Sequence, residues 1–256
     1  YNSMQFLSSP LEQFQILPIV QLHMGIFDFS ITNVTLILTL GIGSVIFVLY
    51  SLLSEEGNFS VVPNRIQFVF EMFYELIFNM LNDVVGPAGK NYFPYVFTLF
   101  TFVVTSNVIG LVPYSFTITS HLIVTFALAL MTFVGINLIC IREHGMNFFS
   151  LFLPPGSGIY LAILLVPIEL VSYIFRPISL SVRLFANMMA GHTLLKVIAG
   201  FAWSMMLAGG GLLIAHVVPL AILILLMGLE LGVALIQSYV FTILTCIYLS
   251  DAINLH

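Results

Sequence analysis

Charge is scarce in this chain. Six basic and eleven acidic residues occur among 256, and charged residues make up 7% of the total, against about 25% in an ordinary soluble domain. No soluble fold covers a 60% hydrophobic chain with so few charges, so a water-soluble globular domain is excluded. Six Lys and Arg are also too few to fix an orientation by loop charge. The acids are dispersed, with no acidic or basic tail, and no nucleic-acid partner is expected. Only two cysteines are present, Cys140 and Cys246. Both lie in apolar runs and read as small buried hydrophobes, not as a disulfide framework or a metal site. No phosphate loop, zinc spacing or nucleophile triad occurs, so neither a cofactor nor nucleotide chemistry is expected on this chain. There is no clean internal repeat and no low-complexity linker. The first 25 residues lack a basic region followed by an apolar core, so no signal peptide is expected there.

What the chain does have is apolar length. Several runs exceed the roughly 20 residues that span a hydrocarbon core. Residues 31–53 read as a first span, followed by the polar loop "SEEGNFSVVPN" with Pro63-Asn64 as a helix start. In residues 65–83, Gln67, Glu71, Glu75 and Asn79 recur every four positions among Phe, Leu, Ile and Met. One polar stripe on an otherwise apolar helix predicts an amphipathic helix lying along the interface. After the turn "GPAGK", residues 92–112 and 119–141 predict a helical hairpin (92–141) joined by "PYSFTI". Residues 142–158 read as a Gly- and Pro-rich loop. Residues 1–29 are mixed and read as surface chain.

The last two helices are unusually long. Leu161 to Ala208 is 48 residues, or about 72 Å at 1.5 Å per residue. That is over twice a core of roughly 30 Å. Splitting the run at Pro177 or Gly191 leaves segments too short to span, and neither place offers a polar turn. One strongly tilted helix, bent at Pro167 and Pro177, fits better. "GGG" at 209–211 ends it, and residues 212–250 predict a second long helix bent near Pro219. The predicted fold is an all-α polytopic membrane protein forming a single membrane domain over 1–256. It has one N-terminal transmembrane helix, an interfacial helix, a hairpin, and a hairpin of two long tilted helices over 161–250.

Polar residues in that long hairpin are the candidate site. At about 100° per residue, Glu169, Arg176 and Arg183 share a face, Asn187 stays near it, and His192 points to the opposite side. Folding the hairpin at Gly210 makes the numbers of facing residues sum to about 420. That register sets Arg183 level with Gln237, Glu169 level with Asp251, and His192 within a turn of Glu230. Ionisable groups inside a membrane default to ion pathways and proton relays. Arg183 stays protonated at any relevant pH, so it cannot relay protons, but it can force a passing carboxylate to release one. His192 and Glu230 can gain and lose protons near neutrality. Arg176 can equally be structural, satisfied by a carbonyl freed by Pro177, and Asn187 can equally bond a neighbouring helix. Lys196 reads as a snorkelling residue, and Asn107 and His121 as helix-packing groups. His23, His144, His216 and His256 read as interface residues.

At these residues the chain resembles subunit a of the F-type ATP synthase in its mitochondrial form. The resemblance is carried by "RPISLSVRLFANMMAGH" (176–192), "PYSFTITSHL" (113–122), "LELGVALIQSYVFTILTCIYLSDAINLH" (229–256) and "SPLEQF" (9–14). It runs essentially full length. Only the loop "LPPGSGIY" departs from the family's usual pattern. The resemblance implies a proton-translocating subunit with two offset half-channels beside a rotating c-ring. Arg183 then faces the ring carboxylates, flanked by Gln237 and Asn187. His192 and Glu230 line the half-channel open to the intermembrane space, and Glu169 and Asp251 line the matrix half-channel. It further implies the mitochondrial inner membrane, an N-terminus in the intermembrane space and a C-terminus in the matrix. The c-ring, the peripheral stalk, other membrane-sector subunits and the lipid bilayer are the implied partners. The nucleotide sites lie on other chains. A secondary transporter would show paired repeats and broken helices, and neither is found. A purely anchoring subunit leaves the charges of Arg183, His192 and Glu230 in the membrane without a use.

Overall fold

The computed structural model describes residues 12–21, 23–24, 27–54, 65–112, 116–145, 159–209 and 215–254. Six α-helices dominate it: α1 (Asn33–Ser54), α2 (Arg65–Val84), α3 (Phe93–Gly110), α4 (Leu122–His144), α5 (Ile159–Ala208) and α6 (Val217–Ile253). Among the described residues, four helices are long and apolar enough to cross a membrane, Pro87–Gly110, Leu122–His144, Leu164–Ala208 and Val217–Ile253. α1 adds 22 residues of largely apolar helix. The chain is therefore an all-α polytopic membrane protein. The polar loop at 55–64 with its Pro63-Asn64 start, most of the loop at 142–158, and Gly210–Gly211 lie outside the described residues, as does His256.

α5 runs unbroken for 50 residues through Pro167 and Pro177. Each proline removes one backbone hydrogen bond, yet the apolar residues on both sides keep the helix continuous. It stops at Ala208 because Gly209 turns left-handed, at φ 68°, the usual glycine exit from a helix. The sequence predicted a bend at Pro219. Instead Pro219 occupies the first turn of α6, where its missing N–H costs nothing. α4 reaches three residues past its predicted end at 141. Arg142 and His144 fall in its last turn, where the Arg142 charge favours the helix dipole. His144 Nε2 lies 3.0 Å from the Ile253 carbonyl at the end of α6.

Two compact units divide the chain. One comprises Tyr1–Ser44, Val104–His121 and Leu184–Gln237, the other Val45–Val103, Leu122–Arg183 and Ser238–His256. In the former, the mixed N-terminal stretch holds two short antiparallel ribbons that alternation did not reveal. β1 (Pro18–Val20) pairs with β4 (Ile31–Thr32), and β2 (His23–Met24) with β3 (Phe27–Asp28). Asn33 ties them to α1: its Oδ1 accepts from the Leu17 and Val34 amides, and its Nδ2 donates to the Gln15 carbonyl. Before α4 the chain makes a turn in which Thr117, Ile118, Thr119 and Ser120 are all buried. The Phe116 and His121 rings stack there at 4.9 Å.

The other unit packs α2 on α3 through aromatic rings, Tyr74 on Phe93 at 4.7 Å and Phe73 near Phe100. Ile77, Met80 and Leu81 of α2 are buried, while Glu71, Glu75 and Asn79 are exposed. The four-residue polar repeat thus forms one outward stripe. Thr125 on α4 meets Ser181 on α5 at 3.2 Å, a buried hydroxyl pair joining two spans.

Burial lowers the His121 pKa below its ordinary value of 6.5, so the folded turn favours the neutral ring. Its stabilisation is full above about 6.5 and is lost as pH falls, because the unfolded turn binds the proton more readily. Hydrogen-exchange protection of residues 117–121 should fall between pH 7.5 and 5.5. His121→Phe, which keeps the stack on Phe116, should remove that dependence. Equal protection at both pH values in the unmodified protein would contradict it.

Candidate functional site

In a helix, a residue's neighbours across an antiparallel partner are fixed by register. Among the described residues α5 ends at Ala208 and α6 begins at Val217. Facing residues sum to more than 420: 422 for His192 with Glu230, 424 for Asn187 with Gln237, and 427 for Arg176 with Asp251. Gln237 therefore meets Asn187, one turn beyond Arg183, and Asp251 meets Arg176, not the acid Glu169.

His192 and Glu230 come together as the spacing predicted. His192 Nε2 lies 3.7 Å from Glu230 Oε1, with side chains 14% and 7% exposed. Neither carboxylate oxygen of Glu230 makes a hydrogen bond among the described residues. A carboxyl so placed, beside an imidazole and away from fixed donors, can take and give a proton without breaking a strong bond. Gly191 makes the approach possible. A Cβ built there would stand 2.5 Å from Glu230 Oε1 and 2.9 Å from its Cδ, so the carboxylate rests against the bare backbone of α5. Sequence reading passed over Gly191, because a glycine inside a helix is silent until its neighbour is known.

The same unit adds two polar contacts. Asn187 Nδ2 donates to Gln237 Oε1 at 2.9 Å, and Gln237 is buried. Asn107 on α3 is fully buried and donates to the Ala234 carbonyl at 3.3 Å, one helical turn from Glu230. Asn107, read from sequence as a packing group, thus abuts the wall that carries Glu230.

Arg183 is exposed, as are Ser179, Val182, Ala186, Asn187 and Ala190 around it on α5. Among the described residues its guanidinium forms no ion pair. Glu169 is half-buried and makes neither a hydrogen bond nor an ion pair among the described residues. Lys196 is half-buried too. Arg176, left open between structural and functional readings, holds Asp251 at 3.3 Å.

Gly191→Ala should displace the Glu230 carboxylate while leaving assembly intact, because the clashing atom ends a flexible side chain. Proton flux through vesicles carrying the assembled complex should drop several-fold. Unchanged flux would mean that the close approach at Gly191 is immaterial.

Comparison with known proteins gives the family of the chain. The family model described as ATP synthase A chain matches residues 34–250. ATP synthase subunit a of Pylaiella littoralis is 57% identical over 97% of this chain and 99% of its own length. The subunit of Chondrus crispus is 50% identical over 98% of each chain, and that of Marchantia polymorpha 47% identical over 97% of this chain and 99% of its own. With a match of this strength over nearly the full chain, the chain belongs to the ATP synthase subunit a family, the proton-translocating membrane-sector subunit of the F-type ATP synthase.

Proposed function

We propose that Arg183 separates two offset half-channels in this subunit and faces the carboxylates of a rotating c-ring. The observation that carries the reading is the state of Arg183 itself. It is a permanent charge on a long apolar helix, exposed and without an ion pair among the described residues. A guanidinium in a membrane span must face water or an opposite charge. The small and short residues around it, Ser179, Ala186 and Ala190, are exposed as well and leave room for another helix to approach closely. A carboxylate carried on that helix supplies the missing counter-charge.

The chain works with other subunits of the membrane sector, and the c-ring and peripheral stalk are the partners this reading assigns. Its bilayer is the mitochondrial inner membrane, with the N-terminus in the intermembrane space and the C-terminus in the matrix. A proton enters by His192 and Glu230 and passes to a ring carboxylate. Neutralised, that carboxylate can leave the polar interface for lipid, and the ring turns almost a full circle. On reaching the field of Arg183 it ionises, because a nearby cation favours the charged form. The released proton leaves by Glu169 and Asp251. Asn187 and Gln237, bonded to each other, hold the polar surface beside Arg183 without contributing charge. Each proton brings about 2.3 kcal/mol per 100 mV of membrane potential. The subunit itself does no bond-making chemistry, and nucleotide turnover belongs to other chains.

Arg183→Ala in the assembled complex should reduce ATP synthesis to background while permitting passive proton leak. Glu230→Leu should suppress both synthesis and leak. Normal coupling in the Arg183→Ala complex would overturn the reading. Unaltered flux in Glu230→Leu would make the chain an anchor.

A further inference from the structure

We propose that Arg176 is a positioning residue for Asp251, and that the two side chains with the small cavity beside them form one proton-exit station. The inference rests on reading Asp251 as an exit residue. Its own observation is separate: a guanidinium held by three groups at once. Arg176 Nη1 lies 3.3 Å from Asp251 Oδ2. Its guanidinium carbon sits 5.2 Å from the centre of the Tyr173 ring and 5.0 Å from that of Tyr248. Both distances fall within cation–π range. The Tyr173 hydroxyl in turn donates to Asn137 Oδ1 on α4, and its ring packs on Phe133 at 5.0 Å. Three helices thereby fix the direction of one charge.

Asp251 is left half free. Its side chain is 44% exposed against 26% for Arg176, and among the described residues Oδ1 makes no hydrogen bond. A proton leaving the ring carboxylate, whose O–H bond breaks, can therefore add to Oδ1 and form an O–H bond there, while Oδ2 keeps the guanidinium. It then passes to water on the exposed side, and Arg176, always protonated, neither gains nor loses it. A cavity of about 20 Å³ lies against Arg176, Asp251, Tyr173, Tyr248 and Cys140, space on the scale of one water molecule. A pair this exposed contributes little as a staple, so stability alone does not account for two aromatic rings devoted to it. The sequence carries a faint signal of the arrangement, with Tyr173 three before Arg176 and Tyr248 three before Asp251. Positions three apart share a helix face.

The test uses the assembled complex in vesicles and measures ATP-driven proton pumping in Arg176→Gln, Arg176→Lys, Asp251→Asn and the double variant Arg176→Gln/Asp251→Asn. Arg176→Gln should slow pumping by about tenfold, a coupling typical of residues in contact, and Arg176→Lys should recover part of the loss. The double variant should be no slower than Asp251→Asn alone, because Arg176 acts only through that carboxylate. Multiplying losses, or an Arg176→Gln complex that pumps normally, would overturn the inference. Normal pumping in Asp251→Asn would instead defeat the exit reading of Asp251. Should Arg176→Gln fail to assemble, Tyr248→Leu removes one of the two rings beside the guanidinium and keeps the charge. It should slow pumping in the normal background and have no effect in Asp251→Asn, and a loss in both backgrounds counts against the proposal.

Discussion

Hydrocarbon solvates neither a guanidinium nor a carboxylate, and an ionised group there must find an opposite charge, water or a fixed dipole. Five ionisable side chains of α5 and α6 answer that demand in three ways. Arg176 is matched to Asp251 and two tyrosine rings. Glu230 and His192 are matched to each other, in surroundings that leave Glu230 without hydrogen bonds among the described residues. Arg183 has no ion pair among them. These three conditions suit three tasks: a held charge, a transferable proton and a charge awaiting a partner.

Length follows from the same demand. A span of about 20 residues offers one polar station before it leaves the bilayer. α5 has 50 residues and α6 has 37, which lets stations recur along one helix pair and still be covered by apolar turns between them. Small residues then adjust the fit locally. Gly191 admits a carboxylate against the backbone, and the glycine at 209 ends the helix where the chain must reverse.

Much of this was legible in the sequence, for identifiable reasons. Apolar length gave the spans, and the four-residue repeat of Gln67, Glu71, Glu75 and Asn79 gave the polar stripe of α2. The lack of any polar turn near Pro177 argued correctly for one continuous α5. The pairing of His192 with Glu230 followed from register, because its sum of 422 lies within a turn of the expected 420. Toward the other end the sum rises to 427, so Asp251, set level with Glu169, instead meets Arg176. The ribbons of residues 18–32 gave no signal because two-residue strands are too short to alternate. The roles of Gly191 and Asn107 depend on which helices meet, and no periodicity within one helix encodes that.

The central claim is that the exposed face around Arg183 receives a carboxylate-bearing helix of another chain, and cross-linking tests it most directly while Arg183 stays in place. A cysteine at Val182, 45% exposed on that face, should form a disulfide with a cysteine introduced beside the carboxylate of the ring helix. Such bonds need Cα atoms within about 7 Å. A control cysteine at Leu184, fully buried on the opposite side, should not. The account predicts rapid, near-complete cross-linking from position 182 alone, arresting ring rotation until the disulfide is reduced. Absence of cross-linking at 182 in a fully assembled complex would contradict it.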